Sequence, residues 1–281
     1  MTQTYSVVID KGGVGKTTVI INGLFYSARI LNKRCLLIDL DQSPSSTARF
    51  IDKIDSKYFD EDHEIKKEYT VAKFFDSTEG NPEIIEIEDN IHLIAGYKQL
   101  SDLRDTVNAG LQRLYLLNWY YRNIEFIEKN YDYIFIDNHN DLGIFTDNSI
   151  AVSDVVISVA DVDLDSMGKL AEVDAHVKYL QTVIKDPMTQ KSYVDAKVVK
   201  VGNLVEYNTS DSHAFIEAFE AMQKQDSSYL GYFNKRTALK QTKTQNLPLV
   251  EVEAQQTKFT PNEKLFYENT WKLFDSILNY K

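Results

Sequence analysis

The chain has 281 residues, with 31 lysines and arginines against 42 aspartates and glutamates, a formal net charge of -11. This argues against a protein that coats nucleic acid wholesale, while leaving room for a local basic patch. The single cysteine, Cys35, cannot form an internal disulfide, and no apolar run reaches membrane-span length; a soluble, cytoplasmic protein in a reducing compartment, without stable membrane insertion, is the expectation.

The first element is an apolar strand ending at Val7-Val8-Ile9-Asp10, followed by a loop with Gly12, Gly13 and Gly15 and then by Lys16-Thr17-Thr18 at the head of a helix-patterned segment. That layout is a phosphate-binding P-loop. Its glycines allow backbone conformations closed to other residues, so that successive N–H groups, that of Val14 among them, converge on phosphate oxygens at a helix N-terminus. Lys16 supplies charge for the outer phosphates, and the Thr17 hydroxyl can ligate magnesium. A second lysine, Lys11, stands at the front of the loop, where a generic P-loop needs no charge; taken alone it also reads as a solvated loop lysine.

Val19, Ile20, Leu24, Phe25, Ala28 and Leu31 then hold helical spacing, and Cys35-Leu36-Leu37-Ile38 reads as a buried strand running into Asp39-Leu40-Asp41. Strand, helix and strand so close together imply a right-handed crossover in a parallel sheet. Asp39 and Asp41 fall on one side of the strand's carboxyl end, where open α/β folds place ligands; as plain structure they would cap the next helix. Residues 52–68 read as a charged, exposed excursion, 70–75 as a short capped helix, 90–95 as a strand and 105–129 as one helical stretch whose Leu111, Leu114, Leu117, Trp119, Tyr120, Ile124 and Ile127 belong to the core. Tyr131 to Asp137 is an apolar strand ending in an acid, the Walker B pattern, whose carboxylate can hold magnesium through its hydration water. His139 follows closely and is tempting as a general base, against the commoner case of a hydrogen-bonding loop histidine. The histidines, at 63, 92, 139, 176 and 213, show no metal-ligand spacing.

A further strand is expected over 151–159, a helix from Asp163 to about Val183, a strand over 196–204 that ends near Asn203, and a helix between Ser210 and Gln225. The run 234–243 is basic with no acid inside: it holds Lys235, and if helical it puts Arg236, Lys240 and Lys243 on one face, as a solvated surface or as a phosphate-binding one. Residues 261–280 read as an amphipathic helix with Tyr267, Trp271, Phe274 and Leu278 on one face. Its polar face mixes acids with Lys264 and Lys272, so packing against the body is expected rather than attachment to lipid.

The box Lys11-Gly12-Gly13-Val14-Gly15-Lys16-Thr17-Thr18, with acids ending two later strands at Asp41 and Asp137, resembles the ParA/MinD family of deviant Walker A P-loop ATPases, closest to its ParA-type partition branch. The length suits a single domain over 1–281 with a C-terminal packing helix at 261–280. The resemblance, which runs from the strand before Lys11 to about Pro248, implies a mostly parallel α/β sheet with helices on both faces. It implies ATP and Mg2+ as ligands, Thr17, Asp39 and Asp137 around the metal, and Asn203 as the reader of adenine. In such a family Lys11 reaches across a homodimer, Asp41 orients the attacking water, and hydrolysis is weak unless a ParB-like centromere-binding partner stimulates it. Non-specific DNA would be held near Lys235, Arg236, Lys240 and Lys243, with the protein then on the nucleoid and segregating plasmid or chromosomal DNA. Two loops depart from the family pattern: Gln42-Ser43-Pro44-Ser45-Ser46 replaces Pro-Gln-Gly-Asn after Asp41, and Asn138-His139-Asn140 replaces Thr-Pro-Pro after Asp137. A MinD-like membrane-positioning ATPase and a metabolic P-loop ligase or synthetase are the alternatives. One cysteine cannot supply the paired thiolates of an iron–sulfur member.

Overall fold

The structure, a computed structural model, describes residues 1–77, 79–109, 114–206, 208–244 and 246–280. Eight strands, β1 (Gln3–Val8), β2 (Cys35–Leu40), β3 (Ile85–Glu88), β4 (Ile91–Ile94), β5 (Tyr133–Asn138), β6 (Val155–Ala160), β7 (Lys197–Val205) and β8 (Tyr229–Asn234), form one sheet in the order β3-β4-β2-β5-β1-β6-β7-β8. Among the described residues only β3 runs antiparallel to its neighbour. A parallel sheet is covered on both faces, which is why β2 and β6 are buried at every residue and read as unbroken apolar runs in place of alternating ones.

The helices are α1 (Lys16–Arg29), α2 (Ala72–Phe75), α3 (Arg104–Ala109), α4 (Tyr115–Arg122), α5 (Ile124–Asn130), α6 (Ile144–Val152), α7 (Leu164–Val183), α8 (Ser210–Gln223), α9 (Thr237–Thr244), α10 (Leu249–Gln255) and α11 (Pro261–Leu278). One core joins Leu24 and Phe25 of α1, Phe215 and Phe219 of α8 and Phe274 and Ile277 of α11 to Tyr5 and Phe135 of the sheet. On the other face Leu116 and Trp119 of α4 and Phe145 of α6 pack on Leu36, Ile38, Ile134 and Ile136.

α11 turns its apolar face onto α1 and β8. Trp271 stacks on Tyr26 at 4.9 Å between ring centres, Phe274 meets Phe233 at the same distance, and the Trp271 indole N–H donates to Glu253 at 2.8 Å. Thr260 and Glu263 close a capping box before it, which satisfies N–H groups that a helix start otherwise leaves unpaired. Among the described residues no helix is long and apolar enough to cross a membrane.

Several expectations change. The stretch 105–129 is not one helix: residues 110–113 lie outside the described residues, and α4 ends at Asn123, whose side-chain amide donates to the Trp119 carbonyl at 2.8 Å and competes with the helical ladder. Thr70 does not cap α2; its hydroxyl donates to the Lys67 carbonyl at 2.8 Å. The basic run does not start as a helix. Asn234 ends β8, the Lys235 N–H donates to the Val205 carbonyl at 2.9 Å, and α9 begins only at Thr237, so Arg236 is not on its face. The side chains of Lys240 and Lys243 lie outside the described residues.

Candidate nucleotide site

The sheet order brings β2, β5 and β1 side by side, with Asp39 opposite Asp137 and Asp137 opposite Val7 in register. Their carboxyl ends therefore open onto one place, beneath the turn from β1 to α1. In that turn Gly13 and Gly15 have φ of +81° and +92°, a left-handed backbone that other residues adopt only under strain. At Gly15 a Cβ would also overlap the amide nitrogen of Asn203. A cavity of about 650 Å³ lies over the turn, lined by Gly12, Gly13, Gly15, Lys16, Thr17, Thr18, Asp41, Arg49 and Asn140 among others.

The ionisable groups here shift one another. Burial lowers the pKa of Lys16, while the carboxylates of Asp137, Asp41, Asp10 and Asp141 hold it up; its ammonium donates to the Lys11 carbonyl at 3.2 Å. Asp137 is fully buried, and burial raises its pKa, with the Ser46 and Thr17 hydroxyls and Lys16 opposing the rise. One of its oxygens accepts the Ser46 hydroxyl at 2.6 Å, and the other, Oδ1, has no hydrogen-bond partner. A buried, unpartnered carboxylate oxygen near a threonine hydroxyl is oxygen-donor chemistry that suits magnesium. Among the described residues no group of three or more His, Cys, Asp or Glu side chains could hold a metal ion.

Asp39, expected beside the metal, is engaged by its own chain. It is fully buried: Oδ2 accepts both the Thr47 N–H and hydroxyl at 2.7 Å, and Oδ1 accepts the Asp41 N–H at 3.1 Å. Burial and the neighbouring Asp137 raise its pKa. Its carboxylate shapes the loop after β2. Asp41 lines the cavity, and its Oδ1 takes hydrogen bonds from the Ser43 N–H at 3.0 Å and from His139 at 2.9 Å.

Lys11 points within its own chain. Its ammonium reaches Asp161 Oδ1 at 3.0 Å, Asp163 Oδ2 at 2.9 Å and the Ser166 hydroxyl at 2.8 Å. Burial lowers its pKa, but the bonds to Asp163 and Asp161 outweigh this and leave it above the ordinary lysine value. Asn203, expected at the adenine, donates its amide N–H to the Val14 carbonyl at 2.7 Å and so braces the P-loop from β7. It also borders a second cavity of about 520 Å³ with Gly15, Leu204, Glu206, Lys235, Arg236 and Thr237. Lys235 pairs with Glu206 at 2.6 Å.

Sequence reading missed Arg49, Ser46, Leu204 and Asn140. Arg49 lines the first cavity and donates to the Thr242 carbonyl at 2.6 Å. Leu204 has a φ of +59°, a strained value for a branched residue, beside the second cavity. Residue type does not distinguish any of these four from ordinary loop positions.

With this geometry in place, comparison with known proteins adds the lineage. The AAA domain family model, AAA_31, matches residues 2–190, which span the P-loop and both acid-ended strands. The chain belongs to this AAA domain family. Within it the protein is a ParA/MinD-like P-loop ATPase. It is 35% identical over 153 residues to a Methanocaldococcus jannaschii protein of unassigned function, covering 54% of this chain and 56% of that one. It is 26% identical over 186 residues to the sporulation initiation inhibitor protein Soj of Bacillus subtilis, covering 64% and 67%. The AAA domain chain thus spans between about half and two thirds of the length of these relatives. Its fold is similar to that of a candidate plasmid partition protein from Borrelia burgdorferi bound to AMPPNP, with a TM-score of 0.69 at 21% identity over 98% of this chain and 99% of the other.

Proposed function

We propose that residues 1–281 form one ATPase domain that binds ATP with Mg2+ at the P-loop, hydrolyses it slowly on its own, and uses the cycle to position or segregate DNA. The observation that carries the reading is the convergence of Lys16, Thr17, Asp41 and the unpartnered oxygen of Asp137 on the end of the sheet where the P-loop N–H groups gather. The backbone of Gly12 to Thr18 would cradle the phosphates, Lys16 would balance their charge, and Asp41 would orient water. Thr17 and Asp137 would hold the magnesium, which when bound neutralises charge on the phosphates.

Lys11 is read as the group that completes the site of a second copy, so ATP closes a homodimer. For that it must leave Asp161 and Asp163, both partly exposed, a pairing weak enough to exchange. A ParB-like partner would accelerate hydrolysis, and DNA would be held through basic residues around 235–243. A membrane-positioning role is disfavoured because the apolar face of α11 is engaged by α1 and β8.

The test is ATP turnover measured with and without DNA and with a candidate partner, alongside particle mass by light scattering. ATP should double the mass of the wild-type chain and of Asp41→Ala, which should lose turnover by at least about 100-fold, while Lys11→Ala should stay monomeric. A Lys11→Ala chain that dimerises normally, or an Asp41→Ala chain with undiminished turnover, removes the corresponding role.

A further inference from the structure

The two loops that depart from the family pattern meet in one contact. Nδ1 of His139, after β5, lies 2.9 Å from Oδ1 of Asp41, after β2, and the same oxygen accepts the Ser43 N–H at 3.0 Å. Since a carboxylate only accepts, the contact assigns the imidazole proton to Nδ1. Oδ1 is thereby held by donors from two separate loops. Among the described residues no group hydrogen-bonds Oδ2 of Asp41, and the residue borders the phosphate cavity.

We propose that His139 is a positioning residue for hydrolysis: it fixes the plane of the Asp41 carboxylate so that the second oxygen faces the water attacking the terminal phosphate. The inference rests on reading the chain as an ATPase in which Asp41 orients that water. A single N–H from Asp41's own loop leaves the carboxylate free to turn about its last bond. A second donor, 98 residues away in sequence, removes that freedom. The same loop carries Asn140, whose amide lies against Gly12, so the segment that holds Asp41 also lies along the wall of the phosphate cavity.

The experiment compares wild type, His139→Ala and His139→Asn for kcat and for nucleotide affinity. Asparagine places an amide N–H where Nδ1 stands and has nothing in place of Nε2. Alanine should lower kcat by about 10- to 100-fold with affinity within about twofold, and asparagine should restore kcat to within about threefold of wild type. If the alanine chain does not fold, His139→Phe, which keeps a ring without the donor, carries the same expectation. Unchanged turnover in the donor-less variant overturns the proposal. So does an asparagine variant as slow as alanine, which would make Nε2 the needed group, and so does an affinity loss that parallels kcat, which would make the contact a structural brace. A wild-type chain that turns over no ATP in any condition removes the underlying reading, and this proposal with it.

Discussion

From Gly12 to Lys16 the cavity wall is set by the backbone, whereas across from it the loops after β2 and β5 are set by side chains that are distant in sequence. The P-loop keeps its shape through two left-handed glycines and the start of α1, with one side-chain brace from Asn203 to the Val14 carbonyl. The facing loops depend on Ser46 with Asp137, 91 residues apart, and on His139 with Asp41, 98 apart. A wall made from contiguous backbone tolerates side-chain change but not a Cβ; a wall made from paired side chains tolerates loop sequence change provided each pair is kept. That accounts for how the P-loop can match the deviant Walker A box while both facing loops differ from the sequence the resemblance implies.

Gly15→Ala should break the first wall hardest. It adds left-handed strain and drives a Cβ into Asn203, which itself holds the Val14 carbonyl, for a combined loss of about 2–4 kcal/mol. Nucleotide affinity, measured by calorimetry, should fall at least about 30-fold. Gly13→Ala shares the positive φ but meets nothing within 4 Å, so it should cost only about 1 kcal/mol. Equal losses at the two positions would show that the Asn203 brace contributes nothing.

Ser46→Ala tests the second wall. It leaves a fully buried Asp137 without its hydroxyl donor at 2.6 Å, when its other oxygen already lacks a partner. Removing a hydrogen bond to a buried carboxylate should lower unfolding free energy by about 2 kcal/mol, read by urea melts of the ligand-free chain. On the proposed function Mg-ATP should shrink the deficit, because a cation would then occupy the unpartnered oxygen. A deficit that Mg-ATP leaves unchanged would detach Asp137 from the metal.

What was legible in the sequence follows the same division. The P-loop, β2, β5, β6, α7, β7 and α11 were readable because their apolar periods or glycine placements are local. β3 escaped because its Ile-Glu-Ile-Glu alternation is too short to stand out, and β8 because Gly231 interrupts it at a φ of +148°. α6 was hidden by buried polar residues: Asn148 bonds the Leu116 N–H, and Ser149 receives the Asn138 amide. At the site, Asp41 and Asp137 were visible as acids ending strands. The turning away of Asp39 toward Thr47, the bracing of Val14 by Asn203 and the His139–Asp41 contact were not, since each depends on a partner that no spacing rule names.

His92 lies in neither wall and gives the smallest expected effect, which makes it the control. It sits on β4 with Nδ1 2.9 Å from the Tyr131 hydroxyl; burial depresses its pKa, and Glu86 offsets this in part. A depressed folded-state pKa means the unfolded chain takes up the proton more readily. The stability this contributes is therefore fully present above the ordinary histidine range and is lost as pH falls through that range toward the folded value. The ring is partly exposed, which screens the effect, so it should amount to less than about 1 kcal/mol. His92→Phe, which keeps an aromatic ring in the strand, should flatten the wild-type stability slope between pH 7 and pH 5, after the pH-independent loss of the Tyr131 bond is subtracted. Because Asp39 and Asp137 have raised pKa values, their contribution has the opposite sign, but it is common to both chains and cancels in the difference. A variant slope as steep as that of wild type would mean that His92 is solvated in the folded chain. A pH-dependent loss much larger than the Ser46→Ala deficit would mean that polar side chains far from the cavity brace the fold as strongly as those within it, and the contrast between the two walls would lose its meaning.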